Sequence, residues 1–243
     1  MASSEPEIIL YDLACTKNEC FSPVVWRIRL MLNYKRIAYK TIFLEFPDIE
    51  PTMKDLGITP QATSDAKIKY TVPVIHHIPS NNLLMESTVI AEFLETTYPT
   101  PGIALSSPLG QEIETKSRTA IGPVFRNSLV PREFNVISPR AQDYFRRTRE
   151  AALGCKLEDL LSQEEAGWGA AGESLRALGE LIQTNKAEGP FILGASPSYT
   201  DFFIAGSLQC ARVVDEGVFR RISAVPGFRG VYDACLPFME KRD

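Results

Sequence analysis

The sequence predicts an α/β domain of order βαβ-ββα followed by an all-helical domain. Three observations carry this. A strand, a helix and a second strand fit within the first forty-odd residues. Two short strands around a turn, then a helix, close the first hundred. Beyond Pro101 strand-like patterning largely disappears and long stretches of helical periodicity take over.

The run Ile8-Ile9-Leu10-Tyr11 suits a buried strand. After a polar loop, Pro23 opens a segment with apolar residues at Val24, Ile28 and Met31 and at Val25, Ile28 and Leu32, the three-and-four spacing of a helix. Ala38 to Phe46 alternates loosely through Tyr39, Thr41, Phe43 and Leu44, which predicts a strand parallel to the first. The stretch 47–69 is irregular, with a short helix expected at Thr52 to Leu56. Val72 to His77 and Asn82 to Met85, separated by Pro79-Ser80-Asn81, predict an antiparallel hairpin, and Glu86 to Tyr98 a helix stopped by Pro99. The Pro-rich stretch Pro99 to Pro108 reads as the linker, giving domains 1–99 and 100–243. Helices are expected near Gln111 to Leu129, Pro139 to Leu161, Glu173 to Ala187, Tyr199 to Asp215 and Phe228 to Glu240. Pro123 should kink or end the first of these, and Trp168 should lie in a loop or frayed helix start, among Gly167, Gly169 and Gly172.

Composition narrows the function. A net charge of -4 argues against a general nucleic-acid binder, and no apolar run is long enough to span a bilayer. No basic-then-apolar leader opens the chain, so a cytoplasmic protein is expected. Five scattered cysteines suit reduced thiols better than a disulfide framework. The two histidines, His76 and His77, are adjacent in a strand and point to opposite faces, so no metal site is expected.

Four short motifs could carry chemistry or merely cap helices. Ser22-Pro23 is a strong helix start. Its bland role is a cap; its functional role uses the same geometry, because a helix N-terminus favours an anion and a hydroxyl there can donate to a thiolate. Lowering a thiol pKa by about two units requires roughly 2.7 kcal/mol. One charge-assisted hydrogen bond supplies about 1.5–3 kcal/mol and a helix terminus about 0.3–1 kcal/mol, so no metal or general base is needed. Val72-Pro73 is either an ordinary strand start or, if cis, a turn that leaves the Val72 backbone free to pair with an extended peptide. Glu86 and Ser87 are either helix caps or a grip for the ammonium and carboxylate of an amino acid. Ser198 to Asp201 has capping-box spacing and is assigned a structural role.

Taken in this order and spacing, the four motifs resemble the glutathione transferase superfamily, from about Ile8 to Phe238. The segment Cys20-Phe21-Ser22-Pro23-Val24-Val25-Trp26-Arg27 is most similar to the fungal FuA class, relatives of bacterial β-etherases. The resemblance implies a thioredoxin-like first domain, an all-helical second domain, reduced glutathione as cosubstrate and a homodimer. It implies Ser22 as catalytic and Ser22, Val72, Pro73, Glu86 and Ser87 as glutathione-binding. The omega class has cysteine where Ser22 stands, which supports thiol transfer; Cys20, two residues earlier, is a candidate for redox chemistry. Lys67 and Lys69 are candidates for the glycyl end, obscured by the long 47–69 stretch.

Three functions fit. The first is an enzyme that conjugates glutathione to apolar, aromatic electrophiles, with peroxidase or ether-cleaving chemistry available to the same thiolate. The second is a ligandin-type carrier of hydrophobic aromatics, and the third an inactive structural or regulatory relative. Retention of Ser22, Glu86 and Ser87 favours the enzyme, since carriage needs no thiolate activation.

Overall fold

The structure, a computed structural model, describes residues 5–59 and 70–240. A four-stranded mixed sheet of order β2-β1-β3-β4 forms the first domain. Strand β1 (Ile8–Leu13) pairs parallel with β2 (Tyr39–Leu44) and antiparallel with β3 (Val74–His77), which pairs antiparallel with β4 (Asn82–Met85). Helices α1 (Pro23–Tyr34), α2 (Ile49–Asp55) and α3 (Ser87–Thr97) complete it. This is the expected βαβ-ββα thioredoxin-like arrangement. The strand near Val72 starts later than predicted, at Val74, and α2 starts earlier, at Ile49.

Helix α1 is tied to the sheet through charge. Arg29 donates to Asp12 at 2.9 Å with both side chains fully buried, and to the Tyr39 hydroxyl at 3.3 Å. A buried ion pair is a weak source of net stability, but removing either partner strands the other charge. Burial pushes the Asp12 carboxyl up while Arg29 opposes that shift. The strand pattern could not reveal this pair, because Asp12 extends β1 beyond the apolar run.

The second domain is helical. Among the described residues it holds α4 (Pro108–Ser128), α5 (Val130–Glu133), α6 (Pro139–Leu153), α7 (Leu157–Ser162), α8 (Glu164–Ile182), α9 (Tyr199–Val214), α10 (Glu216–Ser223) and α11 (Phe228–Cys235). Pro123 lies inside α4 without ending it. The expected single helix from Pro139 to Leu161 is two, because Gly154 adopts φ 70 and closes α6 with a left-handed turn.

Trp168 corrects the expected loop. It is buried inside α8, its indole N–H donating to Ser128 Oγ at 3.1 Å and its ring covered by Arg221 at 4.4 Å. Each helical glycine costs about 1 kcal/mol, but burying a tryptophan against α4 outweighs that local preference.

Helix α9 is buried along most of its length and packs against α1, α10 and α11. The capping box that starts it is formed: Asp201 Oδ2 accepts from Ser198 N–H at 2.8 Å, and Asp201 Oδ1 accepts from Ile192 N–H at 2.8 Å. Gly206 lets α9 approach the start of α1; a Cβ there would stand 2.9 Å from the Pro23 carbonyl oxygen. No helix of the described residues is long and apolar enough to cross a membrane.

Candidate active site

Ser22 caps α1 in extended conformation, its Oγ accepting from Val25 N–H at 3.3 Å. Pro23 brings no N–H, and Ser22 takes that of Val25, so the Val24 amide is a donor left free at this helix end among the described residues. Among the described residues no acceptor takes the Ser22 hydroxyl proton. Ser22 is only 5% exposed, and what is exposed opens on a cavity of about 450 Å³.

Val72 lines the same cavity with Thr71 and Tyr70. The Val72–Pro73 peptide is cis and Pro73 is buried. Among the described residues no backbone hydrogen bond engages Val72. Thus the structure brings Ser22 and Val72, fifty residues apart in sequence, onto one wall.

Glu86 and Ser87 are placed differently. Neither lines the Ser22 cavity; Glu86 opens on a smaller hollow of about 230 Å³ beside Gly57, Ile58 and Val89. The strand register nevertheless brings them near Val72, because Val74 pairs with Met85, the residue before Glu86. Glu86 does not act as a side-chain cap for α3. It holds φ 78, a conformation that costs a non-glycine residue about 1–3 kcal/mol. Its carboxylate is exposed and has no ion-pair partner among the described residues. Ser87 is the first residue of α3, and its carbonyl accepts from the Tyr199 hydroxyl of α9 at 3.2 Å.

Cys20 is fully buried, and burial together with the neighbouring Asp12 carboxylate pushes its thiol up. A redox role for it is not supported, since the thiolate is the reactive form. Lys67 and Lys69 lie outside the described residues. His76 meets Asn81 at 2.8 Å, and His77 bridges Ser80 and Tyr98 at 2.6 and 2.9 Å, so both rings serve the β3–β4 hairpin and the helix behind it. Among the described residues no three His, Cys, Asp or Glu side chains cluster as a metal site would need.

The opposite wall was not found from sequence. It consists of Tyr144, Thr148, Arg149, Ala151 and Ala152 from α6, with Phe46 and Ile49 from the segment after β2. Tyr144, Thr148 and Ala152 recur every four residues along one helix face. That spacing was legible, but nothing in it told that the face meets the first domain. Phe46 and Phe145 meet in a tilted contact at 5.3 Å across this junction, and Arg140 pairs with Glu45 and Asp48 at 2.9 and 2.5 Å.

The family model described as "Glutathione S-transferase, N-terminal domain" matches residues 21–97, and "Glutathione S-transferase, C-terminal domain" matches residues 113–227. Among curated proteins, the chain is 28% identical to the Glutathione S-transferase-like protein ustS of Aspergillus flavus, over 98% of this chain and 93% of that one. Among solved structures it is similar to glutathione transferase GSTFuA3 of Phanerochaete chrysosporium, with TM-score 0.84, 28% identity and 98% and 99% of the two chains covered. It is also similar to the glutathione S-transferase CsGST63524 of Ceriporiopsis subvermispora, solved in complex with glutathione, at TM-score 0.82, 28% identity and 97% and 99% coverage. Two matched domains in order, the thioredoxin-like sheet joined to the helical domain, and the Ser22–Val72 cavity between them agree: the chain belongs to the glutathione S-transferase family, as a glutathione transferase.

Proposed function

We propose that Ser22 stabilises the thiolate of bound glutathione and that this thiolate attacks an apolar, aromatic electrophile in the cavity between the two domains. The observation that carries the reading is that Ser22 and Val72 open on one cavity whose far wall is largely aromatic and aliphatic. Among the described residues the Ser22 hydroxyl proton has no acceptor, and the Val24 amide lies at the same helix end. Together they suit an anion. The Val72 backbone pairs with the cysteinyl unit beside the buried Pro73, while Glu86 and Ser87 hold the γ-glutamyl end. The strained backbone at Glu86 supports a ligand role, as strain of this kind gathers at binding sites.

The step balances simply. The glutathione thiol gives its proton to solvent, and sulfur forms a bond to an electron-poor carbon. With an aryl halide, the halide leaves with its electron pair. A homodimer is part of the same proposal, and equilibrium sedimentation reads it directly.

The test is Ser22→Ala with an activated aryl halide. Loss of one charge-assisted hydrogen bond, about 1.5–3 kcal/mol, raises the thiol pKa by about one to two units. The kcat–pH profile should therefore move to higher pH by that amount, with glutathione affinity within a few-fold. Ser22→Cys should gain thiol-transfer activity, because the site then carries its own nucleophile. An unshifted profile in Ser22→Ala would reduce Ser22 to a cap.

A further inference from the structure

Arg149 is the one cation among the described residues that line the cavity. It projects from α6, its guanidinium 5.5 Å from the Phe46 ring and 5.2 Å from the Phe145 ring. Carboxylates of the same helix and of the segment after β2 are otherwise engaged. Glu150, next in sequence, is held by Arg146 at 2.8 Å, and Arg146 also takes Glu158 at 2.9 Å. Glu45 and Asp48 pair with Arg140. Glu50, the carboxylate on the cavity wall, pairs with Lys54 at 2.6 Å.

Among the described residues Arg149 itself is in no ion pair and no hydrogen bond. Glu133 of α5 feels its charge but does not pair with it. Burial pushes the Glu133 carboxyl up to about 7, which favours its neutral form. Its aromatic contacts with Phe46 and Phe145 leave its planar fork of donors, which is matched to a carboxylate, without such a partner among the described residues.

We propose that Arg149 is a specificity residue for the second substrate, and that this substrate is an aromatic carboxylate whose anion pairs with the guanidinium while its ring lies against Phe46 and Tyr144. The inference rests on the reading of this cavity as the electrophile site. It adds that the pocket selects for charge and not only for apolar surface. A cavity of about 450 Å³ falls in the usual range for small-molecule sites. Orientation follows from the same contact. With its carboxylate held on α6, the remainder of the ring system extends toward Ser22 on the opposite wall.

Binding can be tested without turnover. Calorimetric titration of 2-naphthoate and of its neutral isostere 2-naphthamide, with glutathione present, compares charge at constant shape. The wild-type protein should bind the naphthoate at least about ten-fold more tightly, the range of a charge-assisted pair. Arg149→Leu should bring that ratio close to one while leaving naphthamide affinity within two-fold. Arg149→Lys should restore part of it, which also covers the case in which the leucine variant folds poorly.

Equal affinity for the two ligands in the wild type would overturn the proposal. So would Arg149→Leu weakening both alike, which would make Arg149 a wall support. A loss of glutathione affinity in Arg149→Leu with an unchanged naphthoate-to-naphthamide ratio would assign the guanidinium to a glutathione carboxylate instead. Failure of the Ser22 mechanism would show in turnover and leave the naphthoate preference in place, so the two ideas fail separately.

Discussion

Glu86 holds a positive φ and presents an exposed carboxylate at the start of α3. A residue that only capped the helix would bond its side chain to the first amides, and Glu86 does not. Glu86→Ala should therefore raise the KM for glutathione several-fold with little change in kcat, the signature of binding lost equally from ground and transition states. An unchanged KM would place the γ-glutamyl end elsewhere. Glu133 offers a test of a different kind. Its carboxyl is pushed up by burial to about 7, against an ordinary value near 4.5, while Arg149 opposes the shift. The folded state thus holds a proton that the unfolded chain has lost, and Glu133 takes stability away as pH rises from about 4.5 to 7. Glu133→Gln should melt with the wild type at pH 4.5 and a few degrees above it at pH 8. Melting curves at the two pH values decide this.

Helix caps were the most legible elements, because their chemistry is local. Ser22, Ser107, Ser138 and Ser198 each start a helix with a side-chain bond to the N3 amide, and the first and last were expected from sequence. Elements that depend on packing were not legible in the same way. Helix α8 forms through Gly167, Gly169 and Gly172 because Trp168 is buried against α4, and α10 went unseen although Asp215 caps it and Val218, Phe219 and Ile222 face inward. Of the candidate site, Ser22 and Val72 stood out as local motifs and meet at one cavity, whereas Phe46, Ile49 and the α6 wall were not legible, since a helix face does not state its partner. Asp201 shows what a legible cap does once packed. Beyond the expected box with Ser198, its Oδ1 accepts from Ile192 N–H, so the carboxylate also anchors the loop entering α9. Asp201→Ala leaves buried donors without acceptors, at a cost of at least about 2 kcal/mol. Its melting temperature should fall by roughly 4–8 °C, while glutathione affinity measured on the same sample stays near normal. Unchanged melting with lost binding would move Asp201 into the active site.

At the scale of the whole molecule, the site exists only while the two domains stay docked. Ser22 and Val72 come from the first domain and the α6 wall from the second. The junction is close-packed: α1 lies along α9 at Gly206, Arg27 of α1 covers the Phe203 ring at 4.2 Å, and Phe46 meets Phe145. Seven of the twelve residues of α1 are buried, so separating the domains would expose a helix with no polar face wide enough to stand alone in water. Unfolding should therefore be one cooperative transition. The chain supplies its own probes, because it has two tryptophans, Trp26 in α1 and Trp168 in α8. In Trp168→Phe the remaining indole reports the first domain, while far-UV circular dichroism is dominated by the helices of the second. Both signals should give the same urea midpoint. Glutathione at about a hundred times its Kd should then add about 2.7 kcal/mol and move both midpoints together. If fluorescence and dichroism separate, or if glutathione shifts the Trp26 signal alone, the first domain unfolds by itself and the α1–α9 junction does not couple the two halves.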